Sequence, residues 1–159
     1  MITSGFARLK SLLLGGAVLS VASGFTYGSY HLDKMSAIEW GSRCFYQNFD
    51  HLAEAKLKGW DFKLTDDSFL RFRKTYATGK QEYYSFNLRS FKDMDYLGNV
   101  SRGMLRIRTK ADDVIVQTFN DPKGNVDSMS TTMRIPLRDM SAERVDSLFN
   151  TLLYLKNAR

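Results

Sequence analysis

The sequence predicts an α+β domain: a mainly antiparallel sheet of about six strands with an N-terminal and a C-terminal helix packed on one face. Three observations lead there. Apolar residues alternate with a period of two from Trp60 to Leu137. Segments of helical period with capping residues lie on either side of that region, and the alternating runs are separated by short turn signals. A chain of 159 residues suits one hydrophobic core, and 43% hydrophobic with 25% charged content is that of a globular protein. The expected organisation is a leader over residues 1–32 followed by a single α+β domain over 33–159.

The leader is read first. Arg8 and Lys10 precede "LLLGGAVLSVA" at residues 12–22, and small residues follow, which is the order of a secretory signal. Ser20-Val21-Ala22 would place cleavage before Ser23. The uncharged run from Ser11 to Tyr30 equally has the length of a membrane anchor, with contact to the bilayer through residues 11–30. A third reading takes Ile2, Phe6, Leu9 and Leu13 as one face of an acid-free mitochondrial presequence. All three place the domain outside the cytosol: periplasmic, secreted or anchored at an inner membrane, with the mitochondrial inner membrane as the alternative.

"SAIEWGSRCFYQNFDHLAEAKLKG" reads as a helix from a Ser36/Glu39 capping box to a stop at Gly59. Its apolar stripe is Met35, Ile38, Phe45, Phe49 and Leu52. "WDFKL" starts the sheet. "SFLRFRKTYATGKQEYYSFNL" reads as two strands joined at Thr78-Gly79-Lys80, and "GMLRIRTKADDVIVQTF" as a second pair turning at Lys110 to Asp113. Asp121-Pro122-Lys123-Gly124 is turn chemistry before a last strand, "MSTTMRIPL", where Pro136 indicates an edge or a strand end. Ser141 then starts a closing helix whose stripe is Val145, Leu148, Leu152 and Leu155.

Several function classes lose support from residue usage. Cys44 is the one cysteine, so no disulfide scaffold or cysteine-based metal site forms within the chain. Two histidines without ligand spacing add no metal site, and no cofactor is expected. Cys44 and His51 are too far apart on a helix for a hydrogen-bonded catalytic pair, and a small buried thiol is the plainer reading. Phosphate-loop, nucleophile-elbow and HExxH motifs are lacking, so no catalytic residue is assigned and the protein is read as non-enzymatic. The formal charge of +6 falls to about +4 once Arg8 and Lys10 are set aside. "GMLRIRT" does not match the aromatic signature of a single-strand RNA platform, so nucleic acid is not an expected partner.

Alternation assigns the two faces of the sheet. Leu70, Phe72, Tyr84, Phe86, Leu88, Leu105 and Ile107 point to the helices. Arg71, Arg73, Tyr83, Arg89, Arg106 and Arg108 point away, with Ser85 and Asn87 among them. That arginine-rich face is the candidate partner-binding surface, suited to an acidic protein or anionic lipid, since guanidinium forks pair with carboxylate and phosphate. The plainer account of it is the solvated face that a one-sided sheet requires. "SFKDMDYLGNVSRG" is the longest irregular stretch, and Met94, Tyr96 and Leu97 make it a candidate binding loop. It also holds a glycosylation sequon at Asn99. The reading that follows is an accessory or assembly factor binding a protein partner or membrane complex. The alternative is a carrier with a small-ligand or lipid pocket between sheet and helices.

Overall fold

The computed structural model describes residues 33–158. The leader, with its signal, anchor and presequence readings, lies outside the described residues. No helix among the described residues is long and apolar enough to cross a membrane.

The chain runs α1 (Lys34–Asn48), β1 (Leu57–Leu64), β2 (Phe69–Tyr76), β3 (Gln81–Asn87), β4 (Phe91–Gly98), β5 (Arg102–Thr109), β6 (Val114–Phe119), β7 (Asp127–Ser130), β8 (Thr132–Arg138) and α2 (Ala142–Asn157). The α+β class and antiparallel pairing hold, but the described residues form eight strands in two sheets rather than about six in one. One sheet has the order β1-β2-β3-β6-β7 and the other β4-β5-β8.

One extra strand is β4, in the stretch read as a loop, and the other comes from dividing the last expected strand between the two sheets. β5 and β6 do not form the expected hairpin: β5 pairs with β4 and β8, whereas β6 pairs with β3 and β7. The turn at Lys110 to Asp113 therefore carries the chain from one sheet to the other. "MSTTMRIPL" divides at Thr131, β7 ending the larger sheet and β8 starting on the smaller. Pro136 is on an edge strand as its chemistry requires, because among the described residues β8 has only β5 as a strand neighbour.

The helix α1 is shorter than expected and starts earlier. Asp33 caps it, its Oδ1 accepting the Ser36 N–H at 2.7 Å. It ends before Phe49, whose backbone turns extended and bridges Leu137. Asp50 N–H then donates to the Pro136 carbonyl at 2.9 Å. Pairing along the edge of β8 thus outcompetes continuation of the helix. Leu52, expected on the stripe, is 66% exposed, and Gly59 lies in β1 beside a bulge. Met35 is likewise exposed, whereas Ile38, Phe45 and Phe49 are buried.

α2 follows the sequence closely. Ser141 Oγ accepts the Arg144 N–H at 3.3 Å, and Leu148, Leu152 and Leu155 are buried. Inward residues of both sheets, among them Leu64, Phe72, Phe86, Leu105, Ile107 and Ile135, join these helix residues in one hydrophobic core. Gly41 lets α1 come close to β1 and α2, since a Cβ there would overlap Leu64 Cδ1 and touch Thr151 Cγ2.

Candidate functional site

The register of β1, β2 and β3 sets the outer face of the five-stranded sheet. Asp61, Arg73 and Tyr83 form one cross-strand row, and Lys63, Arg71 and Ser85 the next. Asp61, Lys63, Arg71, Arg73 and Tyr83 line an open depression of about 190 Å³. The acids here hold the arginines loosely: Arg71 lies 3.5 Å from Asp67 and Arg73 3.9 Å from Asp61. All four side chains are more than 40% exposed, with 43% the lowest value. Such surface pairs are worth about 0–1 kcal/mol, so the guanidinium groups remain open to a partner. Ser85 shares the outward parity yet is buried under its neighbours.

Arg106 and Arg108, expected on this same face, lie instead on β5 in the three-stranded sheet. The face anticipated as continuous is therefore divided between two sheets. Arg106 grips both oxygens of Asp95, each at 2.8 Å. Arg108 reaches Asp95 Oδ2 at 2.7 Å and also bonds Asp93 Oδ1. These charge-assisted bonds from Arg106, then Arg108, hold the Asp95 carboxyl well below the usual carboxylate range. Arg89 sits apart from both groups, exposed in a short 3-10 turn at Leu88–Ser90, where its N–H donates to Asn87 Oδ1 at 3.0 Å.

Met94, Tyr96 and Leu97 are not in a loop; they belong to β4. Asp93 and Asp95 disguise the strand, because aspartate is a poor strand former and hides the alternation of inward Met94 and Tyr96. Cross-strand register accounts for both acids: Asp95 faces Arg106 and Asp93 faces Arg108. Met94 and Tyr96 pack against the core, and only Leu97 is exposed, at 52%. The Tyr96 ring crosses over Gly103 so that its hydroxyl donates to the Asn99 carbonyl at 3.1 Å. Asn99, the sequon residue, uses Oδ1 to accept the Ser101 and Arg102 N–H groups and so shapes the turn into β5.

A polar cluster that sequence reasoning did not anticipate lies where β2, β3 and the turn after α1 meet. Lys74 has the inward parity of Leu70 and Phe72 and is 7% exposed. Its ammonium donates to Glu54 Oε1 at 3.0 Å and pairs with Glu82 Oε2 at 2.8 Å. Tyr76 and Tyr84 hydroxyls donate to the same Glu82 oxygen, each at 3.1 Å. Lys80 then links Glu82 to Asp121, at 3.0 and 2.9 Å. Burial alone would raise the Glu82 carboxyl, but the hydrogen bonds from Lys74 and Lys80 outweigh it and hold it at about 2. The only sequence signal was a lysine at an inward position opposite a glutamate.

Cys44 is buried, and burial pushes its thiol up to about 11, against a weaker opposing pull from Arg144. At that value the thiol is a poor nucleophile at neutral pH. His51 stacks on Trp60 with ring centroids 4.9 Å apart. Among the described residues no group of three or more His, Cys, Asp or Glu side chains is arranged to hold a metal ion. Between α1 and β1 runs an open groove of about 590 Å³ whose apolar wall is Ile38, Tyr46, Phe62 and Leu64. In comparison with known proteins, the chain matches no family model, no curated protein and no solved structure.

Proposed function

We propose that the chain is a non-enzymatic accessory or assembly factor that works outside the cytosol and binds a protein partner through the outer face of its five-stranded sheet. The observation that carries this reading is the surface of Lys63, Arg71, Arg73 and Tyr83 with Asp61, a shallow depression of net positive charge with an aromatic side chain on one side. Arginine and tyrosine are the residue types that dominate protein interfaces. The acids nearby sit at 3.5 and 3.9 Å from the guanidinium groups and leave them available. Basic and aromatic groups on a rigid sheet bind an acidic surface with little ordering cost. The leader supports placement beside a membrane, where the partner would be a membrane complex.

Co-purification from native membranes tests it. Arg71→Glu/Arg73→Glu is expected to lower partner recovery about tenfold or more while leaving the melting temperature nearly unchanged, since both side chains are exposed. Recovery equal to that of the unsubstituted chain would count against this face. The carrier reading draws on the apolar wall of the groove between α1 and β1. Native mass spectrometry showing a co-purifying apolar molecule displaced by Ile38→Trp would favour that reading instead.

A further inference from the structure

The three-stranded sheet sets like charges opposite one another, an arrangement that folding alone does not reward. β5 and β8 pair Arg102 with Arg138 and Arg106 with Arg134, on either side of Met104 with Pro136. All six alternate with Leu105, Ile107, Ile135 and Leu137, which are buried on the other face. Pro136 has no N–H to give, and its carbonyl turns away from β5 to accept the Asp50 N–H at 2.9 Å. Met104 and Pro136 are therefore a non-hydrogen-bonded pair, and so are the two arginine pairs, each two residues along. In that pair type the Cα atoms are only about 4.5 Å apart, and directly opposed like charges weaken the sheet.

Intramolecular acids answer only one arginine of each pair. Asp95 neutralises Arg106, and the buried Asp50 lies 3.3 Å from Arg102. Arg138 Nε is 3.9 Å from Asp139 and is buried with no hydrogen-bond partner among the described residues. Arg134 is exposed, and no acid among the described residues forms an ion pair with it. The arginines on each strand are four residues apart, so the two pairs lie about 13 Å from each other at about 3.3 Å per residue.

From this frame we infer that the outer face of the three-stranded sheet docks an extended acidic segment of a partner protein, with two carboxylates four residues apart and an apolar side chain midway. An extended chain has the same rise as the strands beneath it. Its residues i and i+4 therefore reach the two arginine pairs, and i+2 falls over Met104 on the same side. Arg134 and Arg138, the members of the two pairs that Asp95 and Asp50 do not engage, can each take a carboxylate, which relieves the like-charge opposition. A phosphate or lipid headgroup would satisfy one pair and leave the other, about 13 Å away, unmet. The site is separate from the Arg71 and Arg73 surface and stands whether or not that surface binds a partner.

The test uses the full chain and a fluorescein-labelled synthetic peptide with glutamates four positions apart and leucine midway, read by fluorescence anisotropy. Binding is expected to fall with added salt and to weaken about tenfold or more in Arg134→Glu/Arg138→Glu. Arg71→Glu/Arg73→Glu is expected to bind the peptide as the unsubstituted chain does. Arg134→Glu puts a carboxylate opposite Arg106, so its melting temperature is expected to rise, which separates lost binding from lost folding. Moving one glutamate by a single position turns it to the other side of the peptide and is expected to weaken binding. The inference is overturned if the peptide does not bind, if the double variant or the shifted peptide binds equally well, or if phosphatidylserine vesicles engage this face and the peptide does not.

Discussion

At Lys74 the inward parity of β2 brings an ammonium group in among core side chains, and the fold answers it with two carboxylates and two phenols. A buried pair is weak evidence of net stability, but removing one member leaves uncompensated charge. Lys74→Met leaves Glu54 and Glu82 facing each other and is expected to cost about 3–5 kcal/mol in urea unfolding at neutral pH. The acid response follows from Glu82, whose folded value of about 2 lies below its ordinary 4.5. A depressed carboxylate contributes stability that is fully present above the ordinary value and lost as pH falls through the folded one. Stability is therefore expected to decline from about pH 4.5 toward pH 2 in the unsubstituted chain. In Lys74→Met the deficit is expected to narrow over that range, because a proton on either carboxylate relieves their repulsion. A deficit that stayed constant with pH would contradict this account of the cluster.

At the scale of elements, β4 and β5 depend on close contact between a ring and a glycine. A Cβ on Gly103 would meet the Tyr96 hydroxyl at 2.7 Å and the Leu97 carbonyl oxygen at 2.8 Å. The second contact is backbone and cannot swing away. Gly103→Ala is expected to destabilise the domain by about 1–3 kcal/mol, seen as a lower urea midpoint with an unchanged slope. An unchanged midpoint would mean that Tyr96 does not cross the strand as described. The same elements show what was legible in the chain. β2, β3 and α2 announced themselves, since Leu70, Phe72 and Phe86 alternate cleanly and Leu148, Leu152 and Leu155 repeat at helical spacing with a serine cap. β4 did not, because Asp93 and Asp95 suit a strand only when Arg108 and Arg106 stand opposite, and register is invisible to periodicity. The exchange of strands between sheets at Lys110 to Asp113 and at Thr131 was hidden for the same reason: hairpin and crossover turns use the same residues. Of the candidate face, Arg71, Arg73 and Tyr83 stay together, whereas Arg106 and Arg108 went to the other sheet. Arg134 and Arg138 were overlooked because each looked unremarkable until β8 was laid beside β5.

Over the whole molecule, acids and bases are distributed unequally between interior and surface. Glu54, Glu82 and Asp121 are engaged by Lys74 and Lys80, and Asp50 is buried beside Arg102. Arg71 and Arg73 on one sheet and Arg134 and Arg138 on the other have weak partners or none among the described residues, which would suit a +6 chain to an acidic partner. Each face sits on strands that also carry the core, so a partner would find its contacts already arranged. The central claim is that the five-stranded face is where the partner binds, and the most direct measurement is photo-crosslinking in native membranes from a benzoyl-phenylalanine placed at Tyr83. The account predicts one discrete protein adduct, joined through an acidic segment, lost in Arg71→Glu/Arg73→Glu and absent when the probe is moved to the exposed turn at Lys123. No adduct at Tyr83, or the same adduct from both positions, would contradict it.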